Sequence, residues 1–413
     1  MKVKDSLLGV MICIYIFLLP IIPDKFEMFN RQIKTDYFLV LIYIVFVCIT
    51  LASKELRGSI KSNITHFVKD PTTVLMIILL LIMLFSTGYS LEKKLALSES
   101  LRFLNYVLLF FIIKYGIRYK VTYNYILVTY LVSAFFVSII GIVMYFNGIN
   151  VQNVYGEIRA ESTFGNSNSF AAFLIISIFP ILMLLFKGKY TKLKILISMA
   201  VASICIAIVL SGSRNAFLAF GIGMIVLCIF FNWRTIGLLI PLSVVLLLIP
   251  KVNRRIFSLF SSTQDDSRIK LWKTAVAMIR EHPILGVGNG NYVSQYDIYV
   301  KKYPELAYPD YKRFTTHNSY LKVESELGIF GILSFFGILA VSLYRMKKYI
   351  EIEKEMFFSF FFTGMFASVV AFYFMNISDN LFFVPKITTY YWILTAIQQG
   401  ICAKGLVKQE EIN

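Results

Sequence analysis

The residues best suited to chemistry are one histidine and three arginines that lie far apart in the sequence. His317 opens the stretch 317–331, HNSYLKVESELGIFG, where a polar segment meets an apolar helix. Arg159, Arg214 and Arg268 lie outside the long apolar segments. An imidazole can accept a proton near neutral pH, and a guanidinium can bind phosphate oxygens through paired hydrogen bonds. These residues therefore predict a site where a general base acts beside an anionic group.

Three further polar residues could support such a site. Ser213 belongs to the turn SGSR, whose small residues would let a ligand approach the backbone before Arg214, and the N-terminus of the following helix attracts anions. Asn318 is a good N-cap for the next predicted helix. Glu326 lies inside an apolar segment, where a carboxylate needs a partner, and Lys322 one turn earlier could pair with it. We interpret Glu326 as structural, with support of the site as the alternative.

Each of these residues also has a structural interpretation. An arginine at a helix end can extend its charge to lipid headgroups, and a histidine at a helix start can bond only to its neighbours. The run GVGNGN at 286–291 resembles a phosphate loop but lacks the full spacing of a dinucleotide motif, so we interpret it as tight turns. The sequence has no HExxH, no CxxC and no acidic cluster suited to a divalent metal, so neither a metal nor a cofactor is predicted.

The elements that must position these residues are membrane helices. Of 413 residues, 58% are hydrophobic and only 16% are charged, whereas about a quarter of the residues of a soluble protein are charged. The apolar residues come in blocks of roughly 17 to 25, the length that crosses a bilayer as a helix. We predict an all-α integral membrane protein with about twelve transmembrane helices. The predicted spans are 6–23, 36–52, 73–91, 96–114, 123–147, 169–186, 193–210, 215–231, 234–250, 318–344, 355–377 and 385–402.

The distribution of lysine and arginine predicts the orientation of these helices. A net charge of +17 would suggest nucleic acid binding in a soluble protein, but here we exclude it because basic residues mark the cytoplasmic loops of membrane proteins. Alternate loops are rich in lysine and arginine, which places both termini in the cytoplasm. The first apolar segment resembles a signal sequence without a small-x-small cleavage site, so we expect it to remain as the first helix.

One long loop, residues 251–317, dominates the opposite, external face. Its part 265–281 has apolar residues at helical spacing and ends before Pro283, which predicts a helix at the outer membrane interface. The apolar face of this helix comprises Ile269, Trp272, Val276 and Ile279. The remainder of the loop to residue 314 is rich in Tyr, Pro and Gly and is predicted to be irregular. The predicted domains are helices 1–9 in residues 1–250, the external loop in 251–317, and helices 10–12 with a cytoplasmic tail in 318–413.

Five stretches together resemble the O-antigen ligase and O-antigen polymerase superfamily of bacterial envelope enzymes. They are RAESTFGNSNSFAAF at 159–173, SGSRNAFLAF at 211–220, the R-x3-W-x2-A run from Arg268 to Ala275, HPILGVGNGNY at 282–292 and HNSYLKVESELGIFG at 317–331. Their order, with the long external loop between them, makes the resemblance specific.

The resemblance implies a fold related to GT-C-type glycosyltransferases that use lipid-linked sugars, in the bacterial cytoplasmic (inner) membrane with its site on the external, periplasmic face. It implies metal-independent transfer of a glycan from undecaprenyl diphosphate to an acceptor hydroxyl. His317 would be the base, and Arg214 and Arg268, together with Arg159, would hold the diphosphate. Membrane lipids, a flippase and a chain-length regulator are the further partners that it suggests.

Three functions are weighed against each other. A polymerase of O-antigen, capsule or exopolysaccharide repeats is the favoured interpretation, because envelope polymer loci widely carry such proteins. A ligase that attaches the glycan to lipid A core is the first alternative. A transporter or flippase of lipid-linked glycans is the second, but carriers usually have two related halves around a midplane site, and no internal repeat is visible here.

Overall fold

The chain is mostly helical in the computed structural model, which describes residues 2–23, 27–28, 31–32, 36–154, 157–186, 191–230, 263–308 and 313–410. The helices are α1 (Lys2–Leu18), α2 (Asp36–Leu51), α3 (Lys54–Lys69), α4 (Pro71–Ser86), α5 (Lys93–Phe111), α6 (Lys120–Phe146), α7 (Ser167–Leu184), α8 (Thr191–Ser211), α9 (Arg214–Phe230), α10 (Thr263–Glu281), α11 (Tyr292–Lys302), α12 (Ser319–Ile352), α13 (Met356–Met375) and α14 (Pro385–Glu410). A π-helix, Ile112–Gly116, directly follows α5. Two antiparallel hairpins pair β1 (Glu27–Met28) with β2 (Arg31–Gln32) and β3 (Val151–Val154) with β4 (Glu157–Ala160).

These helices confirm an all-α membrane architecture. Every predicted span except 234–250 coincides with a helix, and 234–250 lies outside the described residues. In the described part of the chain, 6 helices are long and apolar enough to cross a membrane, or 7 if the bent pair formed by α3 and α4 counts as one. Three of the remaining helices are apolar but shorter: Leu7–Leu18, Phe38–Leu51 and Arg214–Phe230. A total of about twelve crossings and a GT-C relationship therefore stay predictions.

Close packing of α7, α9 and α13 forms the centre of the bundle. Gly364 of α13 lies directly on α7, since a Cβ there would be 2.3 Å from the carbonyl oxygen of Phe179. One turn further along, the Ser368 hydroxyl donates a hydrogen bond of 2.7 Å to the carbonyl of Ile176. Gly223 of α9 leaves room for the Phe179 ring in the same way. Small residues thus let three apolar helices approach closely, which is the usual way for membrane helices to associate.

Helix α12 is broken at Gly328, which adopts φ 64° and ψ −164°. The loop 282–292 fills the break, and the amide of Val287 donates to the free carbonyl of Ser325 at 2.9 Å. A Cβ at Gly328 would lie 2.1 Å from the carbonyl oxygen of Ile284, so only glycine fits. The tight turns predicted for GVGNGN are present, with positive φ at Gly286, Gly288 and Gly290. The stretch 282–292 and the first part of α12, which are separate motifs in the sequence, therefore pack into each other.

The segment before α12 contains two helices where the sequence predicted one. α10 confirms the helix predicted at 265–281 and ends at Glu281. The stretch predicted to be irregular contains α11, and that prediction was wrong there. Tyr292, Tyr296 and Tyr299 recur at helical spacing and are buried against α10, which explains the helix. The predicted domain boundary at 250–251 lies outside the described residues.

The buried face of α10 differs from the predicted apolar face. Leu271, Ala275 and Met278 are fully buried, whereas Ile269 of the predicted face is 39% exposed. The Tyr292 hydroxyl donates a hydrogen bond of 2.8 Å to the carbonyl of Leu271, which fixes α11 on this buried side. The predicted face is left on the outer side of the helix, so its location at a membrane interface stays a prediction.

Candidate active site

His317 lies on the loop immediately before α12. Its φ is 47°, in the left-handed region that few residues other than glycine adopt. Asn318 caps α12 as the sequence predicted, because its side-chain oxygen accepts the amides of Tyr320 and Leu321 at 3.0 Å each. The side chain of Asn318 is thus committed to the helix start. A strained backbone beside a well-formed cap points to a functional constraint at His317.

The imidazole of His317 pairs with a carboxylate from a distant part of the chain. Its Nδ1 lies 3.4 Å from Oδ1 of Asp379, in the segment between α13 and α14. The histidine side chain is 31% exposed, and that of Asp379 is 13% exposed. When Nδ1 carries the proton and donates a hydrogen bond to Asp379, Nε2 presents its lone pair and can act as a base. The arrangement is therefore a His–Asp dyad, in which the carboxylate orients the imidazole.

The carboxylate of Asp379 is held by several groups besides the imidazole. Asn168, at the start of α7, donates from Nδ2 to Oδ2 at 2.9 Å, and the amide of Asn380 donates to Oδ1 at 2.9 Å. Burial disfavours the charged carboxylate, but His317, Arg268 and the Asn380 amide together outweigh burial and lower the pKa of Asp379 below its ordinary value. Asp379 is thus an anionic partner for the imidazole, and the positive charge of Arg268 contributes to lowering its pKa.

Two short polar segments, Thr315–Ser319 and Asn376–Asn380, are joined along their length and form the floor of the site. The amide and hydroxyl of Ser319 donate to the carbonyl and side-chain oxygens of Asn376, at 2.9 and 2.7 Å. The Thr316 hydroxyl donates to the side-chain oxygen of Asn380 at 3.2 Å. These bonds fix the segment that carries Asp379 against the segment that carries His317, so the dyad is built into the backbone.

Arg159 and the turn before Arg214 lie against each other. A Cβ at Gly212 would be 3.3 Å from Cγ of Arg159. The side chain of Arg159, on β4, therefore passes over Gly212 of the SGSR turn, where there is no side chain to block it. Gly212 also has φ 58°, which favours glycine. Ser213 is buried, and its hydroxyl accepts the amide of Ala216 at 3.4 Å at the start of α9. The structure therefore gives Ser213 a capping contact and places the side chain of Arg159 against the turn that precedes Arg214.

Hydrogen bonds from Asn215 and Asn168 link the starts of α9 and α7 to the segment that carries Asp379. Asn215 follows Arg214 and donates from Nδ2 to the carbonyl of Met375 at 2.8 Å, at the end of α13. The next residue, Asn376, begins the polar segment that leads to Asp379. Asn168 approaches the same segment from α7. The starts of α7, α9 and α12 and the end of α13 thus meet at one end of the bundle, which carries Arg159, Arg214 and His317.

The comparison with known families bears on this end of the bundle. Residues 199–336 match the model of the O-antigen ligase family. Residues 199–336 are therefore similar to that family, which supports the resemblance to the O-antigen ligase and polymerase superfamily. No curated protein matches the chain. The matched region contains Arg214, Arg268 and His317, whereas Arg159 and Asp379 lie outside it. This match, together with the apolar helices, supports a membrane glycan enzyme of the ligase or polymerase type.

Glu326 contacts the glycine-rich loop. Its carboxylate accepts the amides of Gly290 and Tyr292 at 2.9 and 3.1 Å, and it pairs with Lys322, as the sequence suggested. Gly290 and Tyr292 belong to the loop that fills the break in α12. The contacts of Glu326 agree with the structural interpretation, and a supporting role in the site stays a prediction.

Asp379 and Asn168 are the site residues that the sequence analysis missed. Asp379 lies in NISDN at 376–380, a short polar run between two predicted spans, and Asn168 lies in the polar stretch RAESTFGNSNSF. Charged residues in short interhelical segments are a usable signal, but their partners are set by tertiary packing. Within the described ranges, no group of three or more His, Cys, Asp or Glu residues could hold a metal ion.

Proposed function

We propose that the protein transfers an undecaprenyl-diphosphate-linked oligosaccharide to an acceptor hydroxyl at the His317 end of the bundle. The observation that carries the proposal is the contact of 3.4 Å between His317 and Asp379, and the positive charge of Arg268 contributes to lowering the pKa of Asp379. A base beside a guanidinium suits a reaction in which a hydroxyl attacks a carbon that bears a diphosphate. We further propose that this end faces the external, periplasmic side of a bacterial inner membrane, as the lysine and arginine distribution predicts.

In the proposed step, the oxygen of the acceptor hydroxyl attacks the anomeric carbon of the donor sugar. The bond between that carbon and the diphosphate oxygen breaks, and the electron pair leaves with undecaprenyl diphosphate. Nε2 of His317 takes the hydroxyl proton, and Asp379 stabilises the imidazolium that forms. The 3.4 Å contact between Nδ1 and Asp379 supports these roles because it leaves the other ring nitrogen for the acceptor.

The leaving diphosphate gains negative charge as the bond breaks, and we assign its stabilisation to Arg268, Arg214 and Arg159. Arg268 contributes to lowering the pKa of Asp379, and Arg159 crosses the turn that precedes Arg214. Arginine forks bind diphosphate oxygens in pairs, and fixed positive charge in a site sheltered from water stabilises a developing anion. We propose that these guanidinium groups supply the positive charge without a metal ion.

The acceptor distinguishes the two enzymatic alternatives. If the hydroxyl belongs to a second lipid-linked repeat, the enzyme is a polymerase of O-antigen, capsule or exopolysaccharide, which is the form we propose. If the hydroxyl belongs to lipid A core, the enzyme is a ligase. A flippase that supplies the external donor and a regulator of chain length are the protein partners expected of the polymerase.

Purified protein in proteoliposomes with a lipid-linked repeat tests the proposal directly. We expect release of undecaprenyl diphosphate together with lipid-linked products of two or more repeats, and adding lipid A core should not be required. Products that form only with lipid A core would identify a ligase. Movement of the donor across the bilayer without release of undecaprenyl diphosphate would identify a transporter and overturn the proposal.

A further inference from the structure

Helix α3 lies far from the dyad and carries an unusual exposed stripe. Lys54, Arg57, Lys61, Ile64 and Val68 follow one another at intervals of three and four residues, so they share one face of the helix. All five are exposed, and Ile64 and Val68 are 50% and 49% exposed. The stripe is therefore basic at the start of the helix and apolar toward its end. The helix lies between the predicted spans 36–52 and 73–91, where the sequence analysis predicts no helix.

The other side of α3 is attached to the protein. The Phe67 ring lies 4.9 Å from the Phe111 ring and 5.8 Å from the Tyr115 ring, measured between centroids. Asp70, directly after α3, bonds to Lys114 at 2.9 Å and so fixes the end of the helix to the bundle. With these contacts made, the exposed stripe is turned away from the protein.

The direction of α3 is that of a helix on a membrane surface. Its last part, Asn63–Lys69, is bent by 73° from α4, an apolar helix of the bundle. With α4 crossing the bilayer, as the sequence predicts for 73–91, this bend puts α3 closer to the membrane plane than to its normal. The opposite end of α4 reaches the glycine-rich loop, where Tyr89 donates to the carbonyl of Leu285 at 2.5 Å. α3 therefore lies at the surface opposite the candidate active site.

We propose that α3 docks on the anionic phospholipid headgroups of the leaflet opposite the active site. Ile64 and Val68 would enter the boundary between headgroups and acyl chains, and Lys54, Arg57 and Lys61 would contact lipid phosphates. Negatively charged lipid suits this stripe because its charged members are all basic. In the predicted orientation this is the cytoplasmic leaflet. The inference is independent of the transfer reaction proposed above.

Lipid selectivity of the full chain tests the charge of the stripe. The protein is reconstituted with equal amounts of phosphatidylglycerol and phosphatidylcholine, and retained lipids are measured by native mass spectrometry. We expect preferential retention of phosphatidylglycerol, falling severalfold in the variant K54Q/R57Q/K61Q. The matched variant K347Q/K348Q/K354Q removes three exposed lysines after the membrane part of α12 and should keep the preference. Equal retention by the wild type and K54Q/R57Q/K61Q would overturn the proposal.

The depth of the apolar part is tested without changing any charge. Tryptophan is placed at Ile64, on the stripe, or at Thr65, an exposed position on the adjacent face, and quenching by brominated phosphatidylglycerol is compared with the wild type. We expect additional quenching for Ile64→Trp and clearly less for Thr65→Trp. No additional quenching at position 64 would mean that α3 does not contact the bilayer, for example because a protein partner covers it, and would contradict the proposal.

Discussion

The two ends of α12 both hold a carboxylate among cationic side chains, yet the two groups are built differently. At the end near Arg345, Asp70 accepts from Arg345 at 2.5 Å and from Lys114 at 2.9 Å, and Gln399 accepts from the same two cations at 2.9 and 3.0 Å. The Lys114 side chain is only 3% exposed. At the other end, His317 makes one longer contact to Asp379 and is 31% exposed.

The difference indicates which group can do chemistry. Around Asp70 each cation is bonded to more than one oxygen, and Gln399 itself donates to the Thr72 hydroxyl at 3.0 Å. Such a closed network rigidifies the bundle, and adding a ligand would break existing bonds. At the His317 end, the carboxylate is firmly held while the imidazole is left accessible. A firmly held carboxylate beside an accessible imidazole is the combination that proton transfer needs.

The largest expected effect is that of His317→Ala. Loss of the base should reduce glycan transfer by about 10²- to 10⁴-fold, whereas the amount of folded protein in the membrane should not change. Release of undecaprenyl diphosphate by purified protein is the measurement. His66→Ala removes an exposed histidine from α3 and should leave the rate unchanged. Normal transfer by His317→Ala would remove the base assignment and with it the contrast between the two ends.

A somewhat smaller loss is expected for Arg268→Gln. Removing one stabilising charge from the leaving diphosphate should lower the rate by about 10²- to 10³-fold. Arg268→Lys keeps the charge but loses the fork, so partial recovery is expected. Arg313→Gln is the matched control, because Arg313 is an exposed arginine that pairs with Asp297. If Arg268→Gln and Arg313→Gln lowered the rate equally, the loss would reflect the overall positive charge of the protein and not a role of Arg268 at the dyad.

Asp379→Asn sharpens the comparison by keeping the shape of the anchor and removing its charge. An amide can still bond to Asn168 but no longer stabilises an imidazolium, and misplacing a base can cost about 10²-fold. We expect the maximal rate to fall with little change in the apparent affinity for the donor. A change confined to donor affinity would assign Asp379 to substrate binding.

Much of this organisation could be predicted from the sequence, because it depends on local patterns. Hydrophobic block length located the helices, and the N-cap at Asn318 and the Lys322–Glu326 pair followed from neighbouring residues. The dyad partner could not be found in this way. His317 and Asp379 are 62 positions apart, and only the packing of α12 on α13 brings their flanking segments together.

Two of the helices outside the apolar blocks also could not be predicted from the sequence. α3 and α11 are too polar to be identified by hydropathy, and both are stabilised by aromatic contacts with distant helices. Phe67 of α3 packs on Phe111, and Tyr296 of α11 is buried against α10. In both cases aromatic side chains attach the helix to the protein, by Phe67 in α3 and by a row of tyrosines in α11, and the partner surface exists only after the chain has folded.

The smallest effect on transfer, and a clear effect on stability, is expected at the opposite end for Asp70→Asn. The amide can still cap α4 through Thr73, whose amide lies 3.2 Å from the present carboxylate oxygen. Lys114 and Arg345 would then be left as two cations without their anion, a loss of about 3 kcal/mol for a buried group. Thermal unfolding of the purified protein should move to lower temperature, whereas the rate per folded molecule stays that of the wild type. A fall in that rate at full stability would show that the Asp70 network acts on the chemistry, and the distinction between the two ends would fail.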